Sequence, residues 1–194
     1  MHRFMMGIAR LMALLGGTVL SLLIILTCLS IVGRELSSFL HSDFAEGVAP
    51  GLATWLLGLG IGPINGDFEL VEAGVAFAIF AFIPLCQITS GHASVDIFVN
   101  QLPGGFNKLL RVLTEIVFAL VLILIAWRLY DGMQSKMRYG ETTFLLQFPI
   151  WWAYAASFLG AVVSAIVGVY MAFVRLIEVA TGRVIVQAEA GAEH

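Results

Sequence analysis

Charge is what this sequence has least of. Lys, Arg, Asp and Glu make up only 12% of its 194 residues while 60% are hydrophobic, and a soluble domain carries about twice that charged share. Too few polar side chains are present to cover a globule of this size, so a soluble fold is excluded. Intrinsic disorder is excluded too, because it requires a chain that water can solvate. A mean hydropathy of +0.96 leaves a polytopic membrane protein. Basic excess is also absent: ten Lys and Arg against thirteen Asp and Glu give a net charge of -3, and nothing points to nucleic acid as a partner. The two cysteines, Cys28 and Cys86, lie in apolar runs and support neither a disulfide framework nor a zinc pattern. They read as apolar packing residues near opposite membrane faces, beyond disulfide reach. None of the four histidines (His2, His41, His92, His194) falls at the centre of an apolar run, so haem ligation across helices is not available. There is no G-x-S-x-G, H-E-x-x-H or P-loop pattern. The chain is expected to be non-enzymatic and to hold no cofactor of its own.

What the sequence does have is long apolar runs. A bilayer core of ~30 Å takes ~20 helical residues at ~1.5 Å each. Four stretches qualify: 11–32, 69–90, 109–130 and 149–175. The first is uncharged from end to end. The second opens on Glu69 and Glu72. The third carries Arg111, Glu115 and Arg128 near its ends. The fourth starts at Pro149, whose missing N–H suits a first helical turn, and Trp151, Trp152 and Tyr154 give it an interfacial aromatic belt. A further uncharged stretch, 47–66, is rich in glycine and includes Pro50 and Pro63. Its apolar centre is too short to cross, so it reads as an interfacial or partly re-entrant segment in the first outer loop, with Trp55 at headgroup level. The expected fold class is an all-α integral membrane protein, one domain over 1–194, with four transmembrane helices plus that interfacial segment. The first run is longer than a usual signal-peptide core and no A-x-A site follows, so it is expected to remain as an uncleaved anchor.

Four spans place both termini on one side. With the termini inside, the inner segments carry Arg3, Arg10, Lys108, Arg111, Arg175 and Arg183, and the outer ones Arg34, Arg128, Lys136 and Arg138. That bias favours cytoplasmic termini and turns the acidic residues Asp43, Glu46, Asp67, Glu69 and Glu72 outward.

Ion carriers place ionisable groups at mid-bilayer, and the centres of all four spans lack them. Glu115 is the nearest to an interior position. It follows Arg111 by four residues, so a local ion pair is the simple expectation, with contact to another subunit as the alternative. On the fourth span Ala156, Gly160, Ser164, Gly168 and Ala172 recur every four residues, and Ala13, Gly17 and Ser21 form a shorter stripe on the first. Small-residue stripes let helices approach closely in lipid, either within the chain or against a partner. Arg34, at the outer end of the first span, could pair with Glu69 or Glu72 or with a partner subunit. The acidic pair also suits a helix N-terminus.

These motifs together resemble the small membrane subunit of tripartite ATP-independent periplasmic (TRAP) transporters, the DctQ-like family. Ile31-Val32-Gly33-Arg34 is similar to that family's apolar-Gly-Arg close of the first span, and Glu69 and Glu72 match its acidic opening of the second. Gly91-His92-Ala93-Ser94-Val95-Asp96, with Leu102-Pro103 downstream, resembles its Gly, His and Val-Asp segment with a later Leu-Pro. Thr142-Thr143, Pro149, Trp151-Trp152 and Tyr154 resemble the lead-in to its last span. The family often reads Pro-Leu-Gly after that Tyr, where this chain has Ser157-Phe158-Leu159-Gly160.

The resemblance implies a bacterial inner-membrane scaffold. It implies pairing with a large elevator-type permease that holds sodium and substrate, and transient contact with a periplasmic substrate-binding protein that delivers a small organic solute, often an organic acid. Gly91 would end the second helix, His92 would hold the following turn or meet the large subunit, and Asp96 and Asn100 would cap a short amphipathic stretch. Two other classes stay open at this point: a self-sufficient homo-oligomeric transporter or channel, with Glu115 as its one candidate lining residue, and an electron-transfer anchor.

Overall fold

A computed structural model describes residues 2–42, 62–89 and 104–181, with scattered positions between 51 and 60. Four helices carry the chain: α1 (His2–Leu40), α2 (Asp67–Ile88), α3 (Gly104–Tyr139) and α4 (Trp151–Thr181). Each is long and apolar enough to cross a membrane, and no strand occurs among the described residues. The protein is an all-α membrane protein. α1 and α3 run well past the apolar stretches that mark them in the sequence, because a helix ends where its backbone hydrogen bonding ends, not where its hydropathy falls. α3 continues beyond Tyr130 for two more turns that carry Asp131, Lys136 and Arg138. Pro149, expected in the first turn of the last helix, instead lies just before α4: it pairs with Thr142 in an isolated bridge, and its carbonyl accepts the Trp152 amide at 3.1 Å. Of the expected interfacial segment 47–66, Trp55 is exposed and 62–66 form the turn into α2, while most of the rest lies outside the described residues.

The helices do not close into a ring. α1 packs on α2, α2 on α4 and α4 on α3, with only slight contact between α1 and α4. The order across the layer is therefore α1, α2, α4, α3. α4 is the most buried helix and α1 the least. The α1–α4 contact lies at the end that holds the chain termini, where Ala9 joins Ile88, Val167, Met171 and Val174 in a small apolar core.

Small residues set the spacing. A Cβ on Gly16 would stand 2.9 Å from the Ala81 Cβ, and one on Gly74 would stand 2.6 Å from Leu23 Cδ1, so α1 and α2 meet through glycine on each side. The stripe expected on α1 is out of phase with this face: Gly16 makes the contact, Gly17 only grazes Phe82, and Ser21 is exposed. On α4 the buried face takes in Gly160, Ser164, Gly168 and Ala172, while Ala156 is exposed. A repeat of four turns through about 400°, so such a stripe drifts around the helix and its first member leaves the interface.

The closest approach of α4 to α2 has a backbone cause. Pro84 lies inside α2 and has no N–H, so the carbonyl four residues earlier, that of Phe80, loses its helical donor. In a membrane such a group must find a partner within the protein. The Ser164 hydroxyl lies 2.9 Å from the Phe80 oxygen and 2.8 Å from the Gly160 oxygen. Gly160 makes room for this, since a Cβ there would sit 2.9 Å from the Phe80 Cβ. Replacing Ser164 by Ala is expected to cost about 1 kcal/mol of stability in detergent, with the loss shrinking in a Pro84→Ala background that restores the missing donor. Thermal unfolding of the two single variants and the double variant measures this coupling, and an unchanged loss would assign the hydroxyl to Gly160 alone.

Candidate functional site

The first turn of α2 collects most of the polar structure at the hairpin end of the layer. Gly66 precedes the helix with φ +80°, a conformation that favours glycine. It also faces Leu146, whose Cγ would be 2.5 Å from any Cβ added there. One turn on, Glu69 is only 6% exposed. Its carboxylate accepts the Leu145 amide at 2.7 Å and the Leu146 amide at 3.0 Å. These amides belong to the loop between α3 and α4, which has no helical acceptor for them. An anion at the N-terminus of α2 is also favoured by the helix dipole. The loop is braced internally: Thr143 N–H donates to Phe148 O at 2.9 Å, Ile150 N–H to Glu141 O at 3.0 Å, and Lys136 pairs with Glu141 at 2.6 Å. Gln147, at φ 56°, is the only non-glycine residue in the left-handed region among those described. Held this way, the loop turns Phe144 outward, 85% exposed.

The pairing expected between Arg34 and Glu69 or Glu72 does not form. Glu69 is occupied by the loop amides, Glu72 is exposed with no ion pair among the described residues, and Arg34 acts by charge on Asp67. Sequence spacing could not reveal the loop as a competitor, since it lies some 76 residues away. Ser30 joins the same region: buried on α1 nearly three turns before its end, it accepts the Ile64 amide at 3.2 Å and bonds the Asp67 carboxylate. Gly33 lies directly against the Gly62 carbonyl, where a side chain would collide. The Gly-Arg close of the first span is thus a seat for the turn before α2.

The opposite end has its own polar group. The Gln87 amide, fully buried on α2, donates to the Glu115 carboxylate on α3. Arg111 and Arg175 act on Glu115 by charge, without an ion pair to it. Arg175 on α4 is buried and pairs with Glu178 at 2.7 Å. The local Arg111–Glu115 pair expected from their spacing is therefore replaced by a tie between helices. Gly168 meets Ala119 and Leu122 of α3, so the α4 stripe serves two neighbours within this chain: α2 through Gly160 and Ser164, and α3 through Gly168. Gly91, His92 and Asp96 lie outside the described residues, as do Asn100 and the Leu-Pro pair. Among the described residues no cluster of His, Cys, Asp or Glu could hold a metal ion.

A layer of four membrane helices, with its charged groups gathered toward the two ends, defines a small helical membrane component. The chain belongs to the DctQ component family of tripartite ATP-independent periplasmic transporters, whose model matches residues 23–178. That range takes in α2 and α3 whole, most of α4 and the latter part of α1. The protein is thus a component of a TRAP transporter. No curated protein and no solved structure matches the chain.

Glu69→Ala leaves the Leu145 and Leu146 amides without their acceptor. Hydrogen exchange at these two positions is expected to quicken by about tenfold or more, with the helix amides of α4 little changed, because loops open locally at lower free energy than cores. Exchange read by mass spectrometry on loop peptides checks this, and unchanged rates would mean that the carboxylate does not hold the loop.

Proposed function

We propose that the chain is a non-catalytic scaffold subunit of a sodium-coupled, binding-protein-dependent importer of a small organic solute, an organic acid by family resemblance. It sits in the bacterial inner membrane with both termini in the cytoplasm and the α3–α4 loop on the periplasmic side. It pairs with a large elevator-type permease subunit, which carries the sodium and substrate sites, and the periplasmic binding protein docks transiently on the assembly.

The observation that supports this most is where the polar side chains go. Along the middle of the described helices, hydroxyls such as Thr18, Ser21, Thr27 and Ser164 are turned back onto backbone carbonyls. Hydroxyls spent in this way offer no free O–H, and no charged side chain stands at the middle of the spans, where an ion needs polar groups at which to pause. The open row supports a scaffold in a second way. α1 packs chiefly on α2 and leaves Leu14, Leu22, Ile25 and Leu29 exposed, an apolar face that lipid or a partner helix can cover. A self-sufficient transporter or channel remains the second reading. Its one candidate lining residue, Glu115, is held by Gln87 near the end of the layer.

Reconstitution tests the choice. Proteoliposomes holding this chain, the large permease and the binding protein are expected to take up solute with a sodium gradient, and omission of either membrane subunit returns uptake to background. Flux through this chain alone would transfer the role to the second reading. Full-rate uptake by the large subunit without it would remove the scaffold.

A further inference from the structure

A cleft of about 470 Å³ opens at the hairpin end between α2, α4 and the α3–α4 loop, a size typical of small-ligand sites. Its wall on α2 runs from Phe68 to Phe80. Twelve residue steps at ~1.5 Å make about 18 Å, close to one leaflet of a ~30 Å core. Ala76, Phe80 and Leu129 make the deeper part apolar.

Two polar groups in the cleft have no use within the described chain. Glu72 is exposed in it and has no ion pair among the described residues, whereas neighbouring Glu69 is taken up by loop amides. Ser157 is 3% exposed, and its Oγ has no hydrogen-bond partner. That sets Ser157 apart from Thr18, Ser21, Thr27, Thr114 and Ser164, each of which bonds the carbonyl four residues back. A buried hydroxyl left without a partner is costly, and this one lies in the second turn of α4, much as Glu72 lies in the second turn of α2.

Anion at the mouth, donor just below it and hydrocarbon beneath fit an amphiphile in the same order: a cationic head, an acceptor oxygen and an acyl chain. We propose that the cleft binds a phospholipid with a primary ammonium head, of the phosphatidylethanolamine class. The ammonium sits on Glu72, a phosphate or ester oxygen accepts the Ser157 hydroxyl, and one acyl chain lies along Ala76, Phe80 and Leu129. An anionic glycerol head would be repelled by Glu72, and a choline head has no N–H to donate to it. The inference does not depend on the scaffold role.

Native mass spectrometry of the full chain, delipidated in detergent and offered equal amounts of phosphatidylethanolamine, phosphatidylcholine and phosphatidylglycerol, tests it. The ethanolamine lipid is expected to be retained about tenfold over the other two, the scale of one charge-assisted hydrogen bond. Glu72→Gln brings its retention down to the choline level, Ser157→Ala lowers all three lipids together, and Ala76→Trp, which fills the cleft, abolishes retention. Circular dichroism confirms that each variant keeps its helices, and Ala76→Leu replaces Ala76→Trp if the larger residue unfolds the chain. Equal retention of the three lipids, or no effect of Glu72→Gln, overturns the proposal. So does loss of the ethanolamine lipid on adding the large permease subunit, which would make the cleft a seat for protein.

Discussion

The Phe80 carbonyl has lost its donor to Pro84, and within a membrane no water can replace it. That one deficit fixes much of the layer. Ser164 must stand opposite Phe80, Gly160 must be bare so that it can, and α4 must therefore run beside α2 at this level. The same requirement, that each backbone group be satisfied inside the protein, governs the hairpin end. There the unpaired groups are amides, and the answer is the Glu69 carboxylate. A carbonyl takes a hydroxyl and two amides take an anion.

Apart from the contact of Tyr170 on α4 with His2 on α1, at 3.4 Å, the polar ties between helices share one member. α2 meets α1 through Asp67 and Ser30, the α3–α4 loop through Glu69, α4 through Phe80, and α3 through Gln87 and Glu115. The shortest of the four helices, with 22 residues, is thus the hub to which the others are pinned. This explains why a row rather than a ring is enough. α1 and α3 each lie chiefly against one neighbour, yet both are tied to α2 by hydrogen bonds at a level fixed along its axis.

Much of the architecture could be read from the sequence, because hydropathy over ~20 residues is a local signal. The four helices, the acidic opening of α2 and the small residues of α4 all fall in this class. The partners of the charged residues do not. Glu115 has Arg111 one turn away, and the i,i+4 rule favours that pair; only the relative height of α2 and α3 brings Gln87 nearer. Arg34 and Glu69 stand at adjacent helix ends, but a loop that packs between α2 and α4 reaches the carboxylate first. As a contact within the chain, the α1 stripe misses by a single position, Gly17 for Gly16, since the spacing of small residues does not say which way the helix is turned. Gly33 carried a signal in its position before Arg34, and its reason, the Gly62 carbonyl lying against it, is a contact between segments that no local pattern encodes.

A helix layer in lipid is exposed to sliding. Its surroundings are as apolar as its own contacts, so burial alone sets little preference for one height of a helix over another, and packing of small residues resists separation better than shear. Directional bonds resist shear. Here they occur at three levels of α2: at Asp67 and Glu69 in the first turn, at Phe80 past the middle, and at Gln87 in the last turn. A slip of α2 by one helical turn, about 5.4 Å, would break all of them together, parting Glu69 from the loop amides, Phe80 from Ser164 and Gln87 from Glu115. The arrangement resists sliding of its helices, and the proposed scaffold role needs that resistance.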